Sequence, residues 1–249
     1  MKVMYTLFAV VIMAVMSASY AGSGTAHWTY DGHAGPEHWG RLAKEFGTCE
    51  AGTQQSPVNI EQSITADLAQ ITFDYQSAPI KVVNNGHTIQ VNYSGDSKIT
   101  IGSKAYKLLQ FHFHSPSENR IGGKPFDMEV HLVHKNDAGE LAVIGVLMQA
   151  GMENSVLAPL WQAMPEEVNK ERVLTAQINA ADLLPERRQF YHFKGSLTTP
   201  PCTEGVDWFV MKDATSLSTS QVQKFVGMVG HNARPVQAAN HRFILSTAN

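Results

Sequence analysis

Apolar residues recur along much of this chain at every second position. The alternation runs through Ile71–Tyr75, Ile80–Asn84, Ile89–Tyr93, Lys98–Ile101, Lys107–His114 and Met128–His134. Successive side chains of a β-strand point to opposite faces, so each stretch predicts a strand with one face in a core. Leu141–Met148 is apolar almost throughout, as a buried central strand would be. Asn84-Asn85-Gly86 signals a turn or bulge between two strands. Helical patterns are few. One runs from Val156 to Met164 and stops before Pro165. The other follows a capping-box pattern at Ser218–Gln221, with Val222, Phe225 and Val226 on one helical face. The expected fold is mainly β (α+β), with short peripheral helices.

The first residues follow a different pattern. Lys2 precedes an apolar run from Val3 to Met16, and small residues stand at Ser19 and Ala21. The run is too short to cross a bilayer comfortably and has the layout of a secretory signal, cleaved before Gly22. An N-terminal anchor is the competing reading. Residues 1–21 are therefore set apart, and 22–249 are expected to form one domain. With the leader removed, no membrane span is expected. The net charge of −3 is too mild to suggest nucleic acid or an acidic lipid surface as partner. The two cysteines, Cys49 and Cys202, follow an export signal and read as one disulfide, against the alternative of two unrelated thiols.

The candidate chemistry sits in Gln110–His134. His112 and His114 alternate with Phe111 and Phe113, so both imidazoles share a face, roughly 6.6 Å apart along the strand. A loop with Gly122, Gly123 and Pro125 suits a chain reversal. The next strand carries His131, which antiparallel pairing could bring opposite the first two. A lone strand histidine is usually a hydrogen-bonded core or surface residue. Three on one face suit Zn²⁺, held by neutral imidazoles with a fourth position open. Gln110 and Glu129 each lie two residues before a histidine on the same face, where they could orient its ring.

Six markers stand in order along the chain: GPEHW at 35–39, QSPVNI at 55–60, NNGH at 84–87, QFHFH at 110–114, EVHLVH at 129–134 and GSLTTPP at 195–201. With them the mature chain resembles the α-class carbonic anhydrases, most closely the secreted or periplasmic bacterial type. The resemblance implies a single domain with a large twisted, mostly antiparallel central sheet. It implies a zinc lyase that hydrates carbon dioxide reversibly to bicarbonate and a proton, by attack of a zinc-bound hydroxide. The metal ligands would be His112, His114 and His131, with Gln110, Glu129 and Asn240 supporting them. Thr198 would orient the nucleophile, its hydrogen taken by Glu118. The substrate pocket would comprise Val133, Val143, Leu197, Thr199, Val206 and Trp208. His87 would shuttle the proton over water ordered by Tyr30, Asn85 and Gln90. Cys49 and Cys202 stand where those relatives carry a disulfide, and a homodimer is possible.

Two other readings compete on the same residues. His112-x-His114-x-x-x-Glu118 with a later histidine is also a cupin-like pattern, in which Glu118 would bind iron or manganese. It leaves GSLTTPP without a purpose. A non-catalytic binding relative would be expected to lack a ligand histidine, and all three are present.

Overall fold

A computed structural model describes residues 26–248; the expected signal at 1–21 lies outside them. A sheet of 13 strands runs through the described chain. From one edge its order is Lys170–Ile178, Ala78–Asn84, Ile89–Asn92, Lys104–His114, Met128–Lys135, Leu141–Ala150, Glu204–Met211, Phe190–Ser196, Leu245–Ser246 and Ile64–Thr65. Ile71–Asp74, Lys98–Ile101 and Thr215–Leu217 attach to this path. Most ladders are antiparallel, as expected. Leu141–Ala150 nevertheless runs parallel to Glu204–Met211 near the middle of the sheet.

The sheet separates two cores. One face carries Phe111, Phe113, Val130, Leu132, Ile144 and Val146, covered by the helices Ala158–Ala163 and Thr219–Val229. The other carries Val133, Val143, Leu147, Val206 and Trp208. The second helix begins as its sequence predicts. Ser218 accepts from the Gln221 N–H, and Gln221 accepts from the Ser218 N–H.

One irregularity decides which face the histidines take. The pairing of Lys104–His114 with Met128–Lys135 slips between Leu108 and Gln110. Leu109 is the extra residue, 40% exposed. A one-residue bulge inverts the inside–outside parity of a strand. Tyr106 and Leu108 before it, and Phe111 and Phe113 after it, therefore face the same core. Gln110, His112 and His114 are turned together toward the opposite face.

Candidate functional site

The bulged pairing sets His112 directly opposite His131. Ring centroids lie 5.0 Å apart for His112–His114, 5.3 Å for His112–His131 and 4.6 Å for His114–His131. Each ring is held through one nitrogen by an oxygen that can only accept. His112 Nδ1 donates to Gln110 Oε1 at 2.8 Å. His114 Nδ1 donates to the Asn232 carbonyl at 2.7 Å. His131 Nε2 meets Glu129 Oε1 at 3.0 Å. These partners fix the tautomers and leave His112 Nε2, His114 Nε2 and His131 Nδ1 with free lone pairs. The three side chains offer ligand atoms within 4.8 Å of one another.

The electrostatics suit a cation at that point. Burial, then the charges of His114 and His131, holds His112 well below its ordinary pKa. Burial lowers His114 to about 4, against the pull of its Asn232 hydrogen bond and Glu129. Both rings are therefore neutral at pH 7. Burial acts to raise Glu129, but His131 and the Asn119 hydrogen bonds outweigh it, and the net shift is downward. Its Oε2 accepts from the N–H groups of Glu118 and Asn119, and its Oε1 from Asn119 Nδ2. His114 Nε2 is fully buried with no hydrogen-bond partner among the described residues. A buried nitrogen of this kind is costly unless something fills its lone pair. Three imidazole nitrogens and no thiolate fit Zn²⁺ with an open coordination position.

Glu118 lies beside the cluster, its Oε2 3.5 Å from His114 Nε2 and 3.8 Å from His131 Nδ1. Burial pushes it up to about 7, partly offset by His131, the Thr198 hydroxyl and the Arg234 N–H. That N–H reaches Oε1 at 2.8 Å. Arg234 is itself buried, its guanidinium donating to Gln55 Oε1 and to the carbonyls of Ser56 and Cys49, 5.6 Å from the Trp39 ring.

Val133, Val143, Val206 and Trp208 form one apolar cluster on the histidine face, with Leu197 against it. Trp208 meets His131 edge-on at 4.8 Å. Thr198 is buried, and the carbonyl of Thr199 accepts from the Cys202 N–H at 2.8 Å. Cys202 is bonded to Cys49, so the disulfide closes directly behind this turn.

His87 is half-buried, its ring stacked flat on Trp28 at 3.7 Å. Burial and then the charge of His27 lower its pKa. Asn85 Oδ1 accepts from the N–H groups of His87 and Thr88. Gln90 faces His112 across the ladder, with its amide on Asn92. Tyr30 packs edge-on against Trp28 and Trp39.

The expectation for Asn240 is corrected. Asn240 is exposed and its amide donates to the Thr53 carbonyl rather than to any of the three histidines. Asn232 takes the supporting place through its backbone carbonyl, while its side chain locks Ser115, His87 and Phe113. A backbone acceptor can be any residue type, so no sequence signal marks it. Arg234 was also missed, since a single arginine after a helix reads as a surface cation.

Residues 34–248 match a family described as eukaryotic-type carbonic anhydrase. The chain is 45% identical over 242 residues to a carbonic anhydrase of Neisseria gonorrhoeae, covering 96% of each. It is 41% identical over 239 residues to a carbonic anhydrase of Pectobacterium atrosepticum, covering 96% of this chain and 98% of the relative. Among solved structures, the α-carbonic anhydrase of Thermovibrio ammonificans, in complex with the inhibitor sulfanilamide, aligns with a TM-score of 0.87. That alignment has 45% identity and covers 89% of this chain and 100% of the other.

Proposed function

The chain belongs to the eukaryotic-type, or α, carbonic anhydrase family, and from that premise we propose that it hydrates carbon dioxide reversibly at a zinc held by His112, His114 and His131. The observation that carries the reading is the set of three ring nitrogens left free when Gln110, Asn232 and Glu129 take the other three. When bound, the ion supplies Lewis acidity that brings a water near pKa 7, a magnitude general to carbonic anhydrases rather than deduced from this chain.

The remaining chemistry belongs to the protein. Uncharged ligands leave the cation's charge undiminished, which favours deprotonation of water at neutral pH. Thr198 gives its hydroxyl hydrogen to Glu118 and can then only accept from the incoming nucleophile, which fixes where that nucleophile points. Glu118 does this as an acceptor, with its other oxygen already occupied by the Arg234 N–H. Carbon dioxide has no charge to grip, so an apolar wall suits it. Val133, Val143, Leu197, Val206 and Trp208 supply one, and Thr199 would line the same space. The Thr198 N–H would steady the negative oxygen of the product.

The proton released must leave the cleft. Direct loss to water from an acid near pKa 7 is limited by recombination, to roughly 10³ s⁻¹ for a diffusion limit near 10¹⁰ M⁻¹s⁻¹. His87 would relay it beyond that rate, over water ordered by Tyr30, Asn85 and Gln90. The Cys49–Cys202 bridge and the leader-like start of the sequence support export to an oxidising compartment, periplasmic or secreted.

The test is stopped-flow carbon dioxide hydration with a pH indicator, alongside elemental analysis of protein purified without added metal. One zinc per chain is expected, with activity lost on chelation and restored by zinc. Stoichiometric iron, or no hydration by zinc-loaded protein, refutes the proposal.

A further inference from the structure

One row of residues crosses the sheet from the histidines to its edge. His131 stands opposite His112, His112 opposite Gln90, Gln90 opposite Val83, and Val83 opposite Glu171. Directly opposed residues of a sheet point to the same face. Glu171, on the exposed edge strand Lys170–Ile178, therefore projects on the histidine side. Asn92 follows Gln90 by two positions and shares that face. Asn92 Nδ2 donates to Glu171 Oε2 at 3.2 Å, and Gln90 Nε2 donates to Asn92 Oδ1 at 2.7 Å.

The carboxylate gives this chain of hydrogen bonds its direction. A carboxylate accepts and does not donate. Asn92 must therefore turn its NH₂ group to Glu171, which leaves its carbonyl oxygen toward Gln90. Gln90 must answer that oxygen with its own NH₂ group. Its Oε1 is then the atom left for water, since it accepts from no described residue. Without the carboxylate the two amides would pair as well the other way round, and Gln90 would offer water a donor.

The difference bears on proton exit. A water that spends one hydrogen on Gln90 Oε1 keeps its lone pairs free to take a proton and its second hydrogen free to pass one on. A water held by an NH₂ group has a lone pair occupied and takes a proton less readily. We infer that Glu171 is a positioning residue for proton release, a role that rests on the relay over Gln90 to His87 proposed above. It acts through Asn92 to keep Gln90 an acceptor toward the water that leads to His87. Glu171 lies outside all six sequence markers.

Stopped-flow hydration by the zinc-loaded protein, in dilute buffer and in concentrated imidazole, tests this. Proton release follows the hydration step, so a fault there lowers kcat and leaves kcat/KM as in the parent. Glu171→Gln should lower kcat about twofold in dilute buffer, because half of the amide pairs would face the wrong way. Glu171→Lys can only donate, so it should reverse the pair and lower kcat about tenfold, the weight of one hydrogen bond. Both losses should disappear in concentrated imidazole. Asn92→Val cuts the link and leaves the Glu171 charge in place. On that background Glu171→Lys should change nothing further. Parent-like kcat in Glu171→Lys, a matching fall in kcat/KM, or a further loss on the Asn92→Val background overturns the role of Glu171. A parent that does not hydrate carbon dioxide overturns the zinc reading, and a parent-like His87→Ala in dilute buffer overturns the relay; the role of Glu171 falls with either.

Discussion

Gly145 stands directly opposite His131 on the neighbouring antiparallel strand, and the Glu129 carboxylate occupies the space where a Gly145 side chain would project. A Cβ at Gly145 would lie 2.8 Å from Glu129 Oε1, the oxygen that meets His131 Nε2. Glycine inside a strand costs roughly 0.5–1 kcal/mol relative to alanine. Here it makes room for the carboxylate that faces the His131 ring. Gly145→Ala should therefore displace Glu129 and weaken zinc retention by roughly 10–100-fold, the usual effect of disturbing a ligand's hydrogen-bond partner. Competition with a chelator measures this, and parent-like affinity in the variant would contradict the relationship.

That glycine shows where sequence reading stops. The alternation at Gln110–His114 and Glu129–His134 placed three imidazoles on one face, because two-residue periodicity is local. The Leu109 bulge that selects that face was not legible, since a bulge is a property of a strand pair. Lys170–Ile178 went unread because it is an edge strand, exposed along most of its length, and it alternates only from Leu174 to Ile178. Lys194 and Gly195 interrupt Phe190–Ser196, and its register slips beside them. The misplaced support at Asn240 has the same origin. His114 is oriented by a backbone carbonyl 118 positions away in the sequence, which no pattern of side chains encodes.

His87→Ala should slow turnover chiefly in dilute buffer, toward the roughly 10³ s⁻¹ set by proton loss to water. Burial and the neighbouring His27 lower the His87 pKa, so the ring is free to accept a proton at pH 7. Imidazole added to the variant should restore the rate with saturation. A variant whose rate ignores buffer concentration would assign the relay elsewhere.

Reducing the Cys49–Cys202 bridge should destabilise the fold. The cysteines are 153 positions apart, and a loop of that order contributes at most about 4–5 kcal/mol by restricting the unfolded chain. For a domain this size that corresponds to at most roughly 10–20 °C in melting temperature. Differential scanning calorimetry of Cys49→Ser/Cys202→Ser against the parent reads the shift. Equal melting temperatures would mean the bridge adds nothing.

His134 should make the protein sensitive to acid. It is fully buried, stacked near Tyr75 at 5.8 Å, with Nδ1 donating to the Ala142 carbonyl and Nε2 accepting from the Tyr75 hydroxyl. Burial lowers its pKa to about 3, despite the raising effect of its backbone hydrogen bonds. In the unfolded chain it titrates near 6.5. Between those values the unfolded state binds a proton that the folded state refuses. Its contribution is therefore complete above pH 6.5 and is lost as pH falls toward 3, by up to about 1.4 kcal/mol per unit. His134→Gln keeps a polar group but cannot take up a proton, so its stability should fall less steeply over the same range. Denaturant unfolding of both proteins at intervals from pH 7 to pH 4 gives the difference curve. Acid release of metal from His112, His114 and His131 acts on both proteins alike and cancels in that difference. A flat curve would show that the His134 ring is protonated inside the fold, and that the Tyr75 hydroxyl has turned to leave room for the charge.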